Sequence, residues 1–165
     1  MQILPLSEFN RAAYLGKWYQ FANTKQFYQP AAAYNVSALY LQEADGRISV
    51  SNTLFVNGKE KNIQGTLIET SSPRVFRVKL DKVFLGISIT GDYAIPVVIT
   101  DKKGKYLFAV VGKSLTDRRG YFYILSRKQN VTCEEQRYLF ALLEKLGYDL
   151  NRLLFTPQIC TTMPL

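Results

Sequence analysis

Apolar and polar residues alternate in short runs along most of this 165-residue chain, and turn residues separate the runs. Asn57-Gly58, for example, lies between two runs that contain Val, Ile, Leu and Thr, which is typical of a β-hairpin. Eight strands close a small up-and-down barrel, the all-β fold that this spacing indicates. The predicted antiparallel strands are residues 17–24, 34–42, 47–56, 60–69, 74–80, 93–101, 105–112 and 120–127.

Helical patterns flank these strands. A short helical turn is predicted between Ser7 and Leu15, before the first strand. Thr132 followed by Glu135 is typical of a capping box at the start of a helix, and Gly147 is a typical stop after the apolar stripe that ends at Leu146. The sequence therefore predicts a single domain over residues 1–165. It consists of a barrel at 16–127, a C-terminal helix at 133–147 and a short ninth strand at 153–157.

Composition narrows the functional classes. The net charge is +8, and a chain this basic attracts nucleic acid, anionic membrane surfaces or small anionic ligands. Histidine is absent, so the usual general base, the Ser-His and Cys-His nucleophile pairs and the commonest zinc ligand are missing. We therefore expect neither a metal nor a cofactor, and most hydrolase and metalloenzyme functions are excluded.

Three short motifs follow one another along the chain. Residues 16–19 read Gly-Lys-Trp-Tyr, Thr100-Asp101 is followed by Tyr106, and residues 123–127 read Tyr-Ile-Leu-Ser-Arg. In this order they resemble the three sequence motifs of the lipocalin family. The Leu-Gly-Tyr-Asp at 146–149 and the Thr-Pro-Gln at 156–158 resemble the branch of apolipoprotein D and the bacterial outer-membrane lipocalins. The resemblance covers nearly the whole chain.

This resemblance implies a cup-shaped barrel that carries or scavenges one small hydrophobic or anionic amphipathic ligand, with a role in stress responses. The implied ligand classes are fatty acids, lysophospholipids, sterols, retinoids and tetrapyrroles. Arg127 is expected to lie across Trp18 at the closed end and to donate hydrogen bonds to nearby carbonyls. The residues to which the resemblance assigns a structural role are Gly16, Trp18, Thr100, Asp101 and Arg127.

Two positions depart from a regular pattern. The second motif is one residue longer before Tyr106 than the usual family spacing, so a local change is expected in that hairpin. Pro96 lies inside a predicted strand and cannot donate a ladder hydrogen bond, which predicts a β-bulge. The direction of side chains beyond Pro96 is left open.

Strand alternation predicts the cavity lining once Trp18 is taken to face inward. The third strand alternates most clearly, while Leu39 and Leu41 on the second are expected to face outward, and Asn35 and Ser37 to face solvent. Plain core packing is the alternative at each lining position. Asn52 and three tyrosines are the polar groups expected to orient a ligand. The predicted ligand contacts are Val36, Ala38, Tyr40, Val50, Asn52, Leu54, Phe76, Val78, Ile95, Phe108, Tyr121 and Tyr123.

Basic and aromatic residues alternate in the loops that hairpin order places at the open end of the barrel. Such a rim attracts an anionic amphiphile or an anionic bilayer. Aromatic residues among the charges would contact the interface, or else fold over the cup, and a charged rim also maintains solubility. The predicted mouth residues are Lys25, Phe27, Tyr28, Lys59, Phe84, Arg118 and Arg119.

Cys133 and Cys160 are predicted to be free thiols. The resemblance places the partner of Cys160 near the start of the second strand, but that segment reads Ala31-Ala32-Ala33. Cys133 is expected near the opposite end of the barrel, beyond the ~7 Å Cα separation of a disulfide, as a small buried residue. Free thiols and the lack of a leader favour a cytoplasmic or membrane-peripheral location. Secretion or periplasmic export after signal removal is the alternative, and the glycosylation patterns at Asn35 and Asn130 fit it.

Two other functions are alternatives to ligand transport. A lipid-modifying enzyme on this barrel would need a thiol or tyrosine inside the cup, and neither cysteine is predicted there. Residues 119–124 partly resemble an RNA-recognition strand, but that fold needs two helices between its strands, and none is indicated. The sequence therefore predicts a non-enzymatic binding protein with a small lipophilic ligand and no nucleic-acid partner. It is expected to be a monomer or weak homodimer that makes peripheral contact with an anionic membrane.

Overall fold

Eight antiparallel strands close into a barrel in the computed structural model, which describes residues 1–26, 29–84 and 86–159. The side chains of Val83 and Phe84 are not described. Strands β2 to β9 pair in sequence order, and β9 pairs back with β2, which confirms the predicted up-and-down barrel. The strands are β1 (Gln2–Ile3), β2 (Gly16–Thr24), β3 (Tyr34–Gln42), β4 (Ile48–Val56), β5 (Lys59–Glu69), β6 (Val75–Phe84), β7 (Ile87–Thr100), β8 (Tyr106–Gly112), β9 (Phe122–Ser126) and β10 (Leu153–Phe155).

Short helical segments lie before and after the barrel, as predicted. A 3-10 turn (Leu6–Glu8) and helix α1 (Arg11–Tyr14) precede β2. Helix α2 (Cys133–Lys145) and a second 3-10 turn (Leu150–Arg152) follow β9 and lead into β10. The two-residue β1, which pairs with the end of β7, has no counterpart in the sequence prediction.

Helix α2 begins and ends where its sequence indicates. The Thr132 hydroxyl accepts from the Glu135 N–H, and the Glu135 carboxylate accepts from the Thr132 N–H, which completes the capping box. Gly147 follows the helix with a φ of +85°. Cys133 is exposed, so the prediction that it is buried is wrong. The buried stripe of the helix passes through Leu139 and Leu143, and the first position lies off that stripe.

The barrel wall packs on both of its faces. An inner cluster includes Trp18 and Tyr93, while an outer cluster joins the barrel wall to Leu139 and Leu143 of α2. Phe108 belongs to the outer cluster, so its predicted place among the cavity residues is wrong. The wall under α2 is apolar on both sides, so hydrophobicity alone does not reveal which side of β8 faces the interior.

The predicted bulge at Pro96 is present. The β7–β8 register shifts between Ala94 and Val97, and side-chain direction shifts with it. Ile95 lies in the inner cluster, Val97 lies in the outer cluster, and Val98 is the next residue of the strand to pack inside. One extra residue therefore exchanges the faces of β7 beyond the proline.

The hairpin after β7 carries the expected local change. Its register shifts between Ile99 and Thr100, which accommodates the extra residue of the second motif. In the turn, one oxygen of Asp101 accepts the backbone N–H groups of Lys105 and Lys103, at 2.9 and 2.8 Å. These hydrogen bonds, chiefly that from Lys105, lower the pKa of the Asp101 carboxyl. Asp101 thus has a structural role.

Arg127 and Trp18 form the closed end of the barrel. The guanidinium lies 3.8 Å from the Trp18 ring centroid and donates to the carbonyls of Ala13, Tyr14, Leu15 and Lys17. Trp18 has no exposed surface, and its indole N–H donates to the Tyr14 carbonyl. These contacts confirm the expected packing of Arg127 on Trp18 and attach α1 to the barrel.

The C-terminal segment fills the upper part of the gap between β2 and β3. These strands pair directly only from Gly16 to Tyr19, and β10 pairs with the rest of β2. Beyond β10, the Gln158 amide donates to the carbonyls of both Gln20 and Val36. The C-terminal segment is therefore part of the barrel wall.

We predict that Arg127→Met destabilises the fold by about 2 to 4 kcal/mol, because four carbonyls lose a charged donor and Trp18 loses its cation–π partner. Urea unfolding followed by Trp18 fluorescence measures the change. Lys128→Met, at the next position, removes only an exposed ion pair with Glu135 and should cost under about 1 kcal/mol. Equal losses in the two variants would contradict the role of Arg127.

Candidate ligand-binding site

A cavity of about 470 Å³ lies inside the barrel, within the roughly 300–1,000 Å³ usual for small-molecule sites. Apolar side chains make up most of its wall. The strand alternation that predicts the lining holds over β4 and β9, and over β3 apart from Ser37. The predicted residues that border the cavity are Val36, Ala38, Tyr40, Val50, Asn52, Leu54, Val78, Tyr121 and Tyr123.

Three predicted contacts lie elsewhere. Phe76 and Ile95 are buried in the inner cluster with Trp18 and do not border the cavity. Phe108 lies under α2, as described above. Strand alternation finds the inward face of a strand but not the height at which side chains stop filling the barrel and the cavity begins. The predicted ligand contacts of Phe76 and Ile95 are therefore not supported by the geometry.

The β6–β7 hairpin is longer than predicted and adds wall to the cavity. Its pairing continues through Leu80 and Ile89 to Phe84 and Ile87 at the tip. Leu80, Ile89 and Tyr93 border the cavity. The predicted strands end at 80 and begin again at 93, so the prediction omits the part of β7 that contains Ile89. The alternating Ile-Ser-Ile-Thr of residues 87–90 is the overlooked signal.

Polar residues also border the cavity where the wall is irregular. Ser37, expected to face solvent, lies next to a break in the β3–β4 register and contributes to the lining. Gln20 is buried in the wall, where its amide donates to Thr156 Oγ1 at 2.7 Å and to Asn23 Oδ1 at 3.1 Å. These hydrogen bonds join the C-terminal segment to the cavity wall.

Three buried tyrosines form a hydroxyl cluster in the core and the cavity wall. The Tyr93 hydroxyl lies 2.6 Å from that of Tyr14 and 2.8 Å from that of Tyr40. Burial raises the pKa of both Tyr14 and Tyr93 well above the usual value for tyrosine. Both phenols, Tyr14 and Tyr93, are therefore protonated and uncharged at neutral pH. Sequence reasoning found Tyr40 but missed Tyr93, which lies only three residues before Pro96.

Strand direction places several cations at the open end. Lys25 follows β2, Lys59 begins β5, and Arg118 and Arg119 precede β9. Arg118 is also held in place: its guanidinium lies 4.9 Å from the Tyr148 ring centroid and donates to the Leu115 carbonyl. Of the other predicted mouth residues, Phe27 and Tyr28 lie outside the described residues, as does the side chain of Phe84.

Ion pairs among the described residues are distributed unevenly between the two ends. The ion pairs found among the described residues are Arg11–Glu69, Arg47–Asp45 and Lys128–Glu135, all near the closed end. Lys59 and Lys61 at the open end are exposed and have no ion-pair partner among the described residues. The open end therefore presents lysines that are not held in ion pairs with described residues.

Comparison with known proteins identifies the fold and the family. A family model for a lipocalin-like domain matches residues 9–158. The chain belongs to the lipocalin family. The Arabidopsis thaliana protein "Temperature-induced lipocalin-1" is 31% identical over 155 residues, a match that covers 90% of this chain and 79% of that protein. The Vibrio cholerae protein "Outer membrane lipoprotein Blc" is 28% identical over 157 residues, covering 94% of this chain and 86% of that protein.

Solved lipocalin-like structures share the architecture of this lipocalin. The cockroach allergen Per a 4 superposes with a TM-score of 0.68 at 16% identity, covering 92% of this chain and 90% of its own. Lobster apocrustacyanin A1 gives a TM-score of 0.66 at 23% identity, covering 92% of this chain and 81% of its own. These likenesses establish the fold alone.

Lipocalins are generally binding proteins, and family and fold together support the binding of a small hydrophobic ligand. Across residues 1–26, 29–84 and 86–159, no three Cys, Asp or Glu residues lie close enough to hold a metal ion. Within the same ranges, none of the helices has the length and apolar character needed to span a membrane.

We predict that Tyr93→Phe destabilises the protein by about 1 to 3 kcal/mol, because the buried hydroxyls of Tyr14 and Tyr40 lose their shared partner. Thermal and urea unfolding measure the effect. Tyr34→Phe is the control, since its hydroxyl makes no hydrogen bond to any described residue and its ring packs on Phe55. A Tyr93→Phe variant as stable as Tyr34→Phe would show that the cluster adds nothing to stability.

Proposed function

We propose that this lipocalin binds one small lipophilic molecule in its barrel cavity and acts as a carrier or scavenger. The observation that carries the proposal is an apolar cavity of about 470 Å³, enclosed by strands that the closed end holds together. Burial of apolar ligand surface supplies most of the affinity, at roughly 25 cal/mol per Å². Residues such as Ala38, Val50 and Leu54 would contact the apolar part of the ligand.

The described residues favour binding over catalysis. Cys133 is an exposed free thiol at the start of α2 and is not among the residues that line the cavity. Tyr14 and Tyr93 are protonated and hydrogen-bonded, so neither is a ready base or nucleophile. Tyr121 and Tyr123, part of the apparent RNA-recognition motif, border the cavity, which favours a small ligand over nucleic acid. We therefore propose a protein that leaves its ligand chemically unchanged.

We also propose that the open end approaches anionic membrane surfaces. Lys59 and Lys61 project from the β4–β5 hairpin without ion-pair partners among the described residues, whereas cations of the closed end are partly paired. Each basic residue near an anionic surface contributes about 1 kcal/mol of attraction at moderate ionic strength. This orientation would place the cavity mouth against the source of a lipid ligand, and it fits a membrane-peripheral location.

We predict that Ala38→Trp abolishes ligand binding while the fold is retained, because the indole would occupy the cavity that Ala38 borders. Displacement of an uncharged fluorescent hydrophobic probe measures binding, and circular dichroism measures the fold. Leu39→Trp is the matched control, since Leu39 is 37% exposed on the outer face of the same strand. If both variants bind the probe like the parent protein, the ligand does not enter this cavity.

The membrane proposal has a separate test. We predict that the double substitution Lys59→Glu and Lys61→Glu reduces binding to vesicles containing phosphatidylserine by about tenfold or more, with little change on neutral phosphatidylcholine. Lys102→Glu with Lys103→Glu makes the same charge change in the exposed β7–β8 turn at the closed end. Vesicle sedimentation at two salt concentrations compares them. An equal loss in both variants would indicate general charge attraction without a preferred orientation.

A further inference from the structure

Asn52 is the one carboxamide on the cavity-facing side of β4, and apolar residues surround it. Val50 and Leu54 precede and follow it on that face, while Ala38 and Ile63 lie opposite it on the neighbouring strands. The Asn52 side chain is half-buried and makes no hydrogen bond to any described residue. A carboxamide offers two N–H donors and one carbonyl acceptor. It can therefore bond to a ligand group that donates, accepts or does both.

The described lining of the cavity offers no counter-ion for a buried anion. Among the described residues that line it, none is Lys or Arg, and the acidic Asp92 borders it near the open end. Burying a carboxylate without a paired cation is strongly unfavourable, and a nearby carboxylate adds repulsion. The electrostatics of the wall therefore disfavour an anionic group at the depth of Asn52.

The buried Arg74 and the half-buried Arg127 make their contacts away from the cavity. Arg74 donates to the carbonyls of Leu4, Pro5 and Ile95, and its guanidinium lies 5.1 Å from the Phe9 ring centroid. Arg127 is bonded to carbonyls at the closed end. Neither borders the cavity. Among the described residues, the arginines and lysines therefore lie outside the lining of the cavity.

We propose that the cavity selects a neutral amphiphile, whose hydroxyl, carbonyl or amide group bonds to Asn52, over the same chain ending in a carboxylate. This inference rests on the proposed function and specifies its ligand class. It differs from the anionic amphiphile that the net charge of the chain suggests. The exposed cations at the rim act on a surface outside the barrel, whereas the ligand is in contact with the cavity wall. Tyr40 and Tyr93 are hydrogen-bonded to each other, so the polar group would meet Asn52 rather than the tyrosine cluster.

Three ligands with one common chain test the proposal: lauryl alcohol, methyl laurate and laurate. Each competes with N-phenylnaphthylamine, an uncharged fluorophore, for binding to the 165-residue protein. At about pH 8 we expect the alcohol and the ester to bind about tenfold or more tightly than laurate, because a carboxyl with a pKa of about 4 to 5 is ionised there. The difference should shrink towards pH 6, as the uncharged acid becomes more abundant.

Substitutions at Asn52 locate the effect. Asn52→Leu should weaken the binding of lauryl alcohol about three- to tenfold, because one hydrogen bond is lost. The binding of the fluorophore should not weaken, because the substitution adds apolar surface. Asn52→Lys should strengthen the binding of laurate and reduce the difference in affinity between laurate and lauryl alcohol. Thr53→Leu and Thr53→Lys are the matched controls, because the Thr53 hydroxyl accepts from Asn62 on the exposed outer face. Neither control should alter the preference.

The outcomes separate this inference from the proposed function. If the fluorophore binds and laurate competes as well as the alcohol at about pH 8, the selectivity is absent and the inference fails, while the carrier function stands. An alcohol preference that Asn52→Leu does not reduce also overturns the role of Asn52. If none of the ligands or the fluorophore binds, the proposed function fails, and the inference fails with it.

Discussion

The contact between Arg127 and Trp18 fixes the geometry on which the cavity depends. One guanidinium covers the ring of Trp18 and donates to three carbonyls of the segment that leads into β2 and to one carbonyl at the start of that strand. It thereby joins the end of β9 to the beginning of β2, the two strands that close the barrel. With that end closed and filled, open space inside the barrel lies towards the other end. The position of the cavity is thus a consequence of where the barrel is filled.

The barrel wall has apolar residues on both faces, so packing on the outer face affects which side chains point into the barrel. Leu139 and Leu143 of α2 need a hydrophobic partner on the outer face, and Phe108 and Ile124 supply it. The bulge at Pro96 adjusts β7 to the same requirement, because Val97 joins the outer cluster while Ile95 remains inside. Packing against α2 thus determines that these residues face outward, which the alternation of apolar and polar residues does not predict.

The sequence is most informative where only one face of a strand is apolar. On β4, inward Val50 and Leu54 alternate with outward polar residues, so the sequence predicts which face of this strand borders the cavity. It likewise predicts the barrel, the helix cap and the contact of Arg127 with Trp18. Phe108 was misplaced because both faces of its strand are hydrophobic. Phe76 and Ile95 lie in the inner cluster and not at the cavity. The height at which side chains stop filling the barrel depends on all the strands together, so the pattern of one strand does not predict it. The length of the β6–β7 hairpin depends on cross-strand pairing that outweighs the turn-forming residues near Asp81 and Gly86.

The separation of charge from the cavity gives the two parts of the site different physical tasks. Exposed cations such as Lys59 act through solvent over roughly a Debye length, about 8 Å at physiological salt, so they influence approach and orientation. Inside the wall, water is largely displaced by a bound ligand, and an unpaired charge there is far more costly than in solvent. A basic surface therefore does not imply an anionic ligand. Under the proposed function, the net charge governs the approach to a surface, whereas Asn52 and its apolar neighbours select the molecule that enters.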